Sequence, residues 1–224
     1  MSVGLAREGW VDPVLAEEFP RVRLVEVAVD ATPGRSTREA RVRLRGLSDR
    51  YAGAQVVALR RQPIPHAYRV FHRHVGLDPD VHRTPVEEAA MQRLLRGGFR
   101  ARDRIRDALL IAVVETGVAV WALDDAALQG PLGMRLTAGR ERLGTHEPAD
   151  HLPEGRMVVC DAASPVAVLF GATDPAREVS RSTRRVRLYA VAVAGVPAIH
   201  VEEALDLCLD ALGDGGRSPY SQQA

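Results

Sequence analysis

The sequence predicts a single α+β domain in which helices pack on a β-sheet or a sandwich-like core. Three observations support this fold class. Helical spacing of apolar residues dominates the first half of the chain, whereas short apolar runs typical of strands dominate the second half. No linker long enough to separate two domains interrupts the 224 residues. The content of 46% hydrophobic and 26% charged residues is ordinary for a folded protein.

The first 59 residues predict a short helix, a strand and a longer helix, which extend the same domain. The short helix follows Pro13, and the Val-rich segment 21–30 has the composition of a strand. Ser36 stands three residues before Glu39, which is the spacing of a capping box. This spacing predicts that Ser36 caps the longer helix.

The main part of the domain, residues 60–212, begins with three predicted helices. They lie around 66–75, from Thr84 to Arg96, and around Asp107 up to Gly117. Thr84 is followed by Pro85 and Glu87, an order that is typical of a helix N-terminus. Glycines at the ends of the second and third helices predict where these helices stop.

Strands are predicted after these helices, and one helix closes the fold. The predicted strands are 118–123, the run that contains Arg135, 157–161, 166–170 and 185–195, and the last helix spans 200–213. Asp124 is expected to open a turn that ends at Gly130. The polar tail 213–224 is expected to be disordered.

The charge of the chain is unusual in kind but not in amount. All 30 basic residues are Arg, and 29 acidic residues leave a net charge of only +1. Arginine suits bidentate phosphate contacts, although a GC-rich genome would also favour Arg codons. RNA binding would require Arg to be segregated on one face, which the stretches 41–45, 93–106 or 181–187 could supply. Each stretch could equally be the solvated face of an amphipathic element.

Several function classes are not supported by the sequence. No apolar run approaches the roughly 18 residues that a membrane span needs, and the N-terminus lacks the layout of a signal peptide. Cys160 and Cys208 stand in apolar surroundings, which predicts buried thiols in a cytoplasmic protein. No phosphate-binding glycine loop, nucleophile elbow or HExxH motif occurs, so neither a cofactor nor a metal is predicted. The four clustered histidines are interpreted as surface and cap residues: His66, His72, His74 and His82.

Two loops are the candidate functional sites. One is 118–125, where an apolar strand ends in paired carboxylates, and the other is 170–183, which joins two predicted strands and collects polar side chains. Sites concentrate in loops that a rigid sheet positions. Solvated turns use the same residue types, so the residues alone leave both interpretations open.

The order of residues from Leu94 to Leu143 resembles the B3/B4 tRNA-binding and editing module of the phenylalanyl-tRNA synthetase β subunit. The residues that carry the resemblance are Gly98, Asp107, Gly117, Asp124, Leu128, Gly130, Arg135, Glu141 and Leu143. Upstream, YRVFHRHVGLDP and VEEAAMQRLL look like free-standing relatives of that module. The resemblance covers about 60–210 and implies hydrolysis of tyrosine wrongly esterified to the phenylalanine tRNA, without aminoacylation. The synthetase needs this second pocket because a pocket that selects an apolar amino acid cannot strongly reject an analogue that merely adds a hydroxyl.

The chain departs from the family pattern at three places. Trp121 stands where the family has a histidine, and Leu110 replaces an asparagine. The glycine-rich loop that carries the family's substrate-reading glutamate is represented by VLFGATDPAREV, with Gly171 as its one glycine. Trp121 can stack on an aromatic group but cannot act as a base, so we expect it to line a stacking pocket or to belong to the core.

These expectations define a site and three hypotheses. The predicted site comprises catalytic Asp174 and Glu178, substrate-binding Trp121, Asp124, Gly171 and Thr173, and RNA-binding Arg102, Arg104, Arg181 and Arg184. Asp107 and Asp124 are expected to serve mainly structure. The first hypothesis is a tRNA-associated domain that deacylates aminoacyl-tRNA in trans, with no DNA or membrane partner. The alternatives are a non-catalytic module that binds an amino acid or small metabolite, and a purely structural or partner-binding domain.

Overall fold

The computed structural model describes residues 2–51, 53–144 and 151–213. In these ranges the helices are α1 Pro13–Glu18, α2 Arg38–Arg50, α3 Gly53–Ala58, α4 Pro63–His74, α5 Pro85–Arg96, α6 Arg104–Thr116 and α7 Ala198–Leu212. The strands are β1 Arg7–Glu8, β2 Trp10–Val11, β3 Arg23–Asp30, β4 Val120–Asp124, β5 Gly133–Leu136, β6 Met157–Cys160, β7 Pro165–Val168 and β8 Arg185–Ala192. The predicted disordered tail lies, from residue 214 onward, outside the described residues.

The strands form two four-stranded sheets. Sheet A has the order β1-β3-β8-β4 and is antiparallel throughout. Sheet B has the order β2-β5-β6-β7, in which β2 runs parallel to β5 and the other pairs are antiparallel. Helices, sheets and a shared core make one α+β domain, which confirms the predicted fold class.

Sheet A lies between sheet B and the helix pair α6 and α7, whereas α4 packs against Phe170 on the other side. Glu26 and Trp121 both pair with Tyr189, so these three side chains lie on one face of the sheet. On that face, the ring of Trp121 meets Phe170, which follows the last strand of sheet B. The opposite face carries apolar residues such as Leu188 and is covered by α6 and α7, which pack on each other and on sheet A.

The helix signals in the sequence are confirmed for α5 and α6. The backbone N–H and the hydroxyl of Thr84 donate to the Glu87 carboxylate at 3.1 and 2.8 Å, which closes the capping box of α5. Gly97 and Gly117 end α5 and α6 with φ values of 70° and 77°, a region that a residue without a Cβ adopts at little cost.

The predicted cap of α2 is wrong by one residue. Thr37, not Ser36, precedes the helix and accepts the Ala40 N–H at 3.1 Å. Ser36 is buried, and its hydroxyl donates to the carboxylate of Asp107 on α6. The hydroxyl of Ser36 therefore binds Asp107, 71 residues away in sequence, instead of capping the helix as the local spacing predicts.

Three short elements were not predicted from the sequence: β1, β2 and α3. The parallel pairing of β2 with β5 depends on Gly133, over which the Trp10 indole lies. A Cβ at Gly133 would stand 2.1 Å from the Trp10 ring, so any other residue would displace it. A two-residue strand has too little alternation to be recognised in a sequence.

A buried ionic cluster joins the two sheets. Glu26 is fully buried on β3 and accepts from Arg7 at 2.6 Å and from Arg187 at 2.7 Å. The backbone N–H of Leu132, which directly precedes sheet B strand β5, also donates to Glu26 at 3.3 Å. Burial alone would lower the pKa of Arg187, but the carboxylates of Glu26 and Asp125 outweigh it and raise that pKa.

We expect Glu26→Ala to lower the free energy of unfolding by about 3–5 kcal/mol, because it leaves buried Arg187 with one carboxylate fewer. Glu8→Ala is the matched control, since Glu8 pairs with Arg23 on the exposed surface. Exposed pairs contribute roughly 0–1 kcal/mol. Urea unfolding of both variants measures the difference, and equal midpoints would contradict the role of Glu26.

Candidate functional site

The two candidate loops lie side by side at the end of β4. Leu123 forms an isolated antiparallel bridge with Glu178, and the Asp124 N–H donates to the Arg177 carbonyl at 2.9 Å. The 170–183 loop thus runs from the end of sheet B to the outer edge of β4 in sheet A. The structure brings together the polar loop and the strand that carries Trp121.

Asp124 is engaged in holding the turn after β4. One carboxylate oxygen accepts the Ala126 N–H at 3.1 Å, and the other accepts the hydroxyl of buried Thr183 at 2.6 Å. These bonds tie the turn to the start of β8. Both carboxylate oxygens of Asp124 therefore have partners within the protein, and its role in substrate binding stays a prediction.

Asp174 is buried, and its carboxylate has two partners within the 170–183 loop. Its carboxylate accepts the Ala176 N–H at 3.0 Å and lies 3.7 Å from the Arg177 guanidinium. Arg177 also lies 3.5 Å from Asp161. Burial would raise the pKa of Asp161, but backbone N–H donors, chiefly that of Gln129, and the charge of Arg177 lower it. These contacts tie Asp174 to the loop that carries it, and its predicted catalytic role stays a prediction.

A pocket of about 290 Å³ opens beside Asp174 and Arg177. Thr173, which precedes Asp174 in the chain, is half-buried and forms an isolated bridge with Ala167. Gly171 is exposed, and its N–H donates to the Val168 carbonyl in a turn. Neither Trp121 nor any other residue of 118–125 lines this pocket. The two candidate loops share a boundary, but in the described ranges they do not share this pocket.

Glu178 differs from the other candidate carboxylates because it is exposed. Within residues 2–51, 53–144 and 151–213 its carboxylate has neither a hydrogen-bond nor an ion-pair partner. Its bridge partner Leu123 lies on the same sheet face as Trp121, because side chains two apart in a strand point the same way. Glu178 therefore stands at the rim of the face that carries Trp121.

That face holds a cluster of aromatic rings. Trp121 stacks on Tyr189 with ring centroids 5.3 Å apart and planes inclined by 16°. Phe170 lies 5.7 Å from Trp121 and also meets His72, Phe71 and Tyr68. Trp121 is half-buried, so one part of its indole belongs to the core and the other part is accessible.

Phe170 occupies the centre of this cluster in a conformation that glycine usually adopts. Its φ is +56°, which L-residues with a Cβ reach only at a cost of about 1–3 kcal/mol. Ring contacts on several sides offset that cost. The 170–183 loop thus begins with a left-handed turn that carries an aromatic side chain.

His72 is a core residue, not the surface or cap residue that the sequence suggested. Its ring is 1% exposed, stacks on Phe170 at 4.5 Å, and places Nδ1 2.8 Å from the Tyr68 carbonyl. Burial lowers its pKa, although the Tyr68 carbonyl and the Glu87 charge oppose the shift. In the part of the chain that the structure describes, no group of three or more His, Cys, Asp or Glu could hold a metal ion.

The four predicted RNA-binding arginines occupy different environments. Arg102 is exposed at the junction of α5 and α6, and Arg181 is exposed in the 170–183 loop. Arg104 is half-buried and donates to the last carbonyl of α7. Arg184 donates to three successive carbonyls of the turn 181–183 at 3.0–3.1 Å. Arg104 and Arg184 thus contact backbone carbonyls, whereas Arg102 and Arg181 are exposed, and the RNA-binding role of all four stays a prediction.

Comparison with known proteins relates part of the chain to one synthetase subunit. No family model matches the chain. It is 33% identical over 116 residues to the phenylalanine–tRNA ligase β subunit of two Xanthomonas oryzae pv. oryzae strains, MAFF 311018 and KACC10331 / KXO85. It is 34% identical over the same length to that of Xanthomonas euvesicatoria pv. vesicatoria strain 85-10. The similarity covers 50% of this chain but only 14% of each relative.

The similarity supports a domain related to a tRNA synthetase subunit, in agreement with the resemblance seen in the motif order. The relatives are far longer than this chain, which spans 14% of their length. No described helix is long and apolar enough to cross a membrane.

We expect the stability of the protein to fall as the pH drops below 6.5, in part because His72 resists protonation in the folded state. The unfolded chain takes up a proton near pH 6.5, whereas folded His72 does so only at lower pH, so acid favours unfolding. Urea unfolding between pH 7.5 and pH 5 should show a shallower pH dependence for His72→Gln than for the wild type. His66→Gln alters an exposed histidine and serves as the control; identical slopes in all three proteins would refute this role of His72.

Proposed function

We propose that this domain associates with tRNA and hydrolyses the ester bond of aminoacyl-tRNA, with Glu178 as the general base. The observation that carries the proposal is the carboxylate of Glu178 at the rim of the Trp121 face, which is exposed and has no partner among the described residues. The similarity to phenylalanine–tRNA ligase β subunits supports the choice of aminoacyl-tRNA as the substrate class.

The chemistry requires few groups. The Glu178 carboxylate accepts a proton from water, and the water oxygen attacks the carbonyl carbon of the ester. The bond between that carbon and the ribose oxygen then breaks, and the ribose oxygen receives the proton from Glu178. General-base assistance of this kind contributes roughly 10²–10⁴-fold to a rate.

The aromatic face gives the site its selectivity. The accessible part of Trp121 can stack on the side chain of an aromatic amino acid. The indole offers one N–H donor and no acceptor, so it cannot accept a hydrogen bond from a phenol. We therefore propose that tyrosyl esters are poor substrates of this protein, although the synthetase resemblance implies that they are hydrolysed.

The 170–183 loop needs Asp174 in a positioning role. Asp174 holds Arg177, and the Arg177 carbonyl accepts the Asp124 N–H beside Glu178. Loss of Asp174 would release the segment that carries Glu178 without removing the base itself. We therefore propose Glu178 as the catalytic residue and Asp174 as a positioning residue, whereas the sequence analysis predicted both to be catalytic.

A non-catalytic amino-acid-binding module is the second candidate, and one cleft favours it. Phe19, Phe71 and His74 line a cleft of about 420 Å³ between the end of α1 and α4. Glu18 and Arg21 stand at its edge, with neither hydrogen bonds nor ion pairs in the described residues. Opposite charges over an apolar floor suit a zwitterion with an apolar side chain. Calorimetric titration with free L-phenylalanine and L-tyrosine distinguishes this function from ester hydrolysis.

We expect the protein to accelerate ester loss from at least one member of a panel of mischarged tRNAs, and Glu178→Gln to reduce the acceleration by about 10²–10⁴-fold. Glu17→Gln removes another exposed carboxylate, on α1, and should leave the rate unchanged. Release of the labelled amino acid measures the rate. No acceleration with any charged tRNA would overturn the hydrolase proposal.

Trp121→His should raise hydrolysis of tyrosyl-tRNA above the slow rate expected for the wild type, because an imidazole can accept a hydrogen bond. Trp121→Ala should lower the free energy of unfolding by about 2–4 kcal/mol through the lost stacking on Tyr189. Urea unfolding separates this effect from the effect on the reaction. Efficient hydrolysis of tyrosyl-tRNA by the wild type would contradict the assigned role of Trp121.

A further inference from the structure

A pocket of about 320 Å³ at the junction of α5 and α6 is lined by five arginines. They come from α5, from the connecting loop and from α6: Arg93, Arg96, Arg100, Arg102 and Arg106. We call this set the arginine pocket. Two carboxylates also line it, those of Glu88 and Asp107, so three positive charges remain. The whole chain has a net charge of +1, so positive charge is concentrated here.

The two carboxylates of the pocket are engaged elsewhere. Asp107 is buried and accepts the Ser36 hydroxyl and the backbone N–H of Arg102, the latter at 2.9 Å. Glu88 accepts a hydrogen bond from the Gln92 side chain at 2.9 Å and lies 3.7 Å from Arg83. Neither carboxylate forms an ion pair with a guanidinium of the arginine pocket.

Most of the guanidinium donors in the pocket have no partner in the part of the chain that the structure describes. Arg93 uses Nε and one Nη on the carbonyl of Ser48, and Arg106 lies 3.5 Å from Asp103. Arg100 makes one long contact, 3.3 Å, with a backbone carbonyl. In the described ranges the side chains of the other two, Arg96 and Arg102, have neither hydrogen bonds nor ion pairs.

The loop that carries two of these arginines is held in place by its neighbours. Phe99 is buried, and its N–H donates to the hydroxyl of Ser48 on α2 at 2.7 Å. Its ring meets Tyr51 edge-on, with centroids 6.0 Å apart. Arg100 and Arg102 stand on either side of a loop fixed by this anchor, so less conformational freedom is lost when they bind an anion.

We propose that the arginine pocket binds the phosphate backbone of RNA. Guanidinium groups recognise phosphate oxygens in pairs, and several of them on two helices and a loop can engage adjacent phosphates. A single free phosphate would leave most of these donors without a partner. The choice of RNA rests on the proposed association with tRNA, and the pocket names the surface that makes the contact.

The test compares two triple variants that remove the same charge. Arg96→Gln/Arg100→Gln/Arg102→Gln removes charge from the pocket. Arg61→Gln/Arg73→Gln/Arg140→Gln removes the same charge from three exposed arginines elsewhere. Fluorescence anisotropy with labelled, uncharged tRNA between 50 and 200 mM salt gives the affinity and its salt dependence. Thermal unfolding of both variants shows whether they fold, and an Arg→Lys version of the pocket variant keeps the charge.

We expect wild-type binding to weaken steeply with salt, through release of counterions from the phosphates. The pocket variant should reduce the slope of log affinity against log salt by about two to three, since each lost phosphate contact removes roughly one. Its affinity at 50 mM salt should fall by about tenfold or more. The control variant should bind like the wild type, and the Arg→Lys version should recover part of the loss.

The outcomes separate the pocket from the function on which it rests. Tight tRNA binding that both triple variants weaken equally would overturn the pocket while leaving RNA association intact. No binding by the wild type at 50 mM salt would overturn RNA association itself. Retention of inorganic phosphate or polyglutamate by the wild type, without any tRNA binding, would assign the pocket to a small anion or an acidic peptide and overturn the RNA proposal.

Discussion

A carboxylate that solvent does not reach, that of Glu26, connects parts of the molecule that are distant in sequence. It binds Arg187 on the central strand β8 and the backbone just before β5. Arg187 in turn reaches Asp125, in the turn after β4, at 2.5 Å. The relative placement of the two sheets and the position of that turn therefore depend on one ionic cluster. The 170–183 loop leads directly into β8, the strand that carries Arg187.

Helix α6 connects the two surfaces to which we assign function. Its N-terminal turns contribute Arg106 and Asp107 to the arginine pocket, and its end at Gly117 leads directly into β4 and Trp121. A helix of 13 residues is about 20 Å long. A tRNA whose backbone lies in the arginine pocket, at one end of this helix, can place another part of the tRNA at the Trp121 face near the other end. Under these two proposals, contact with the tRNA backbone and hydrolysis of the ester belong to separate surfaces of the domain.

Local signals in the sequence predicted most of the fold, and long-range contacts account for what they did not predict. The capping residues of α5 and the glycine after α6 act within one helical turn, so spacing alone revealed them. Ser36 has the same local signal but is bound by Asp107, which no local pattern shows. The same limit applies to the site. Composition selected the 170–183 loop, but only the structure shows that Asp174 is buried beside Arg177 and that Glu178 is exposed.

The left-handed conformation of Phe170 has a consequence for how this region could change during evolution. A glycine there would relieve backbone strain of about 1–3 kcal/mol, yet it would forfeit roughly 3–5 kcal/mol of ring packing. The balance favours the aromatic residue while its neighbours remain. Its loss would leave an apolar void between His72, Tyr68 and Trp121, and such voids stay dry and admit benzene-sized guests. Replacing Phe170 by glycine would thus convert a filled core into a cavity that binds small aromatic molecules.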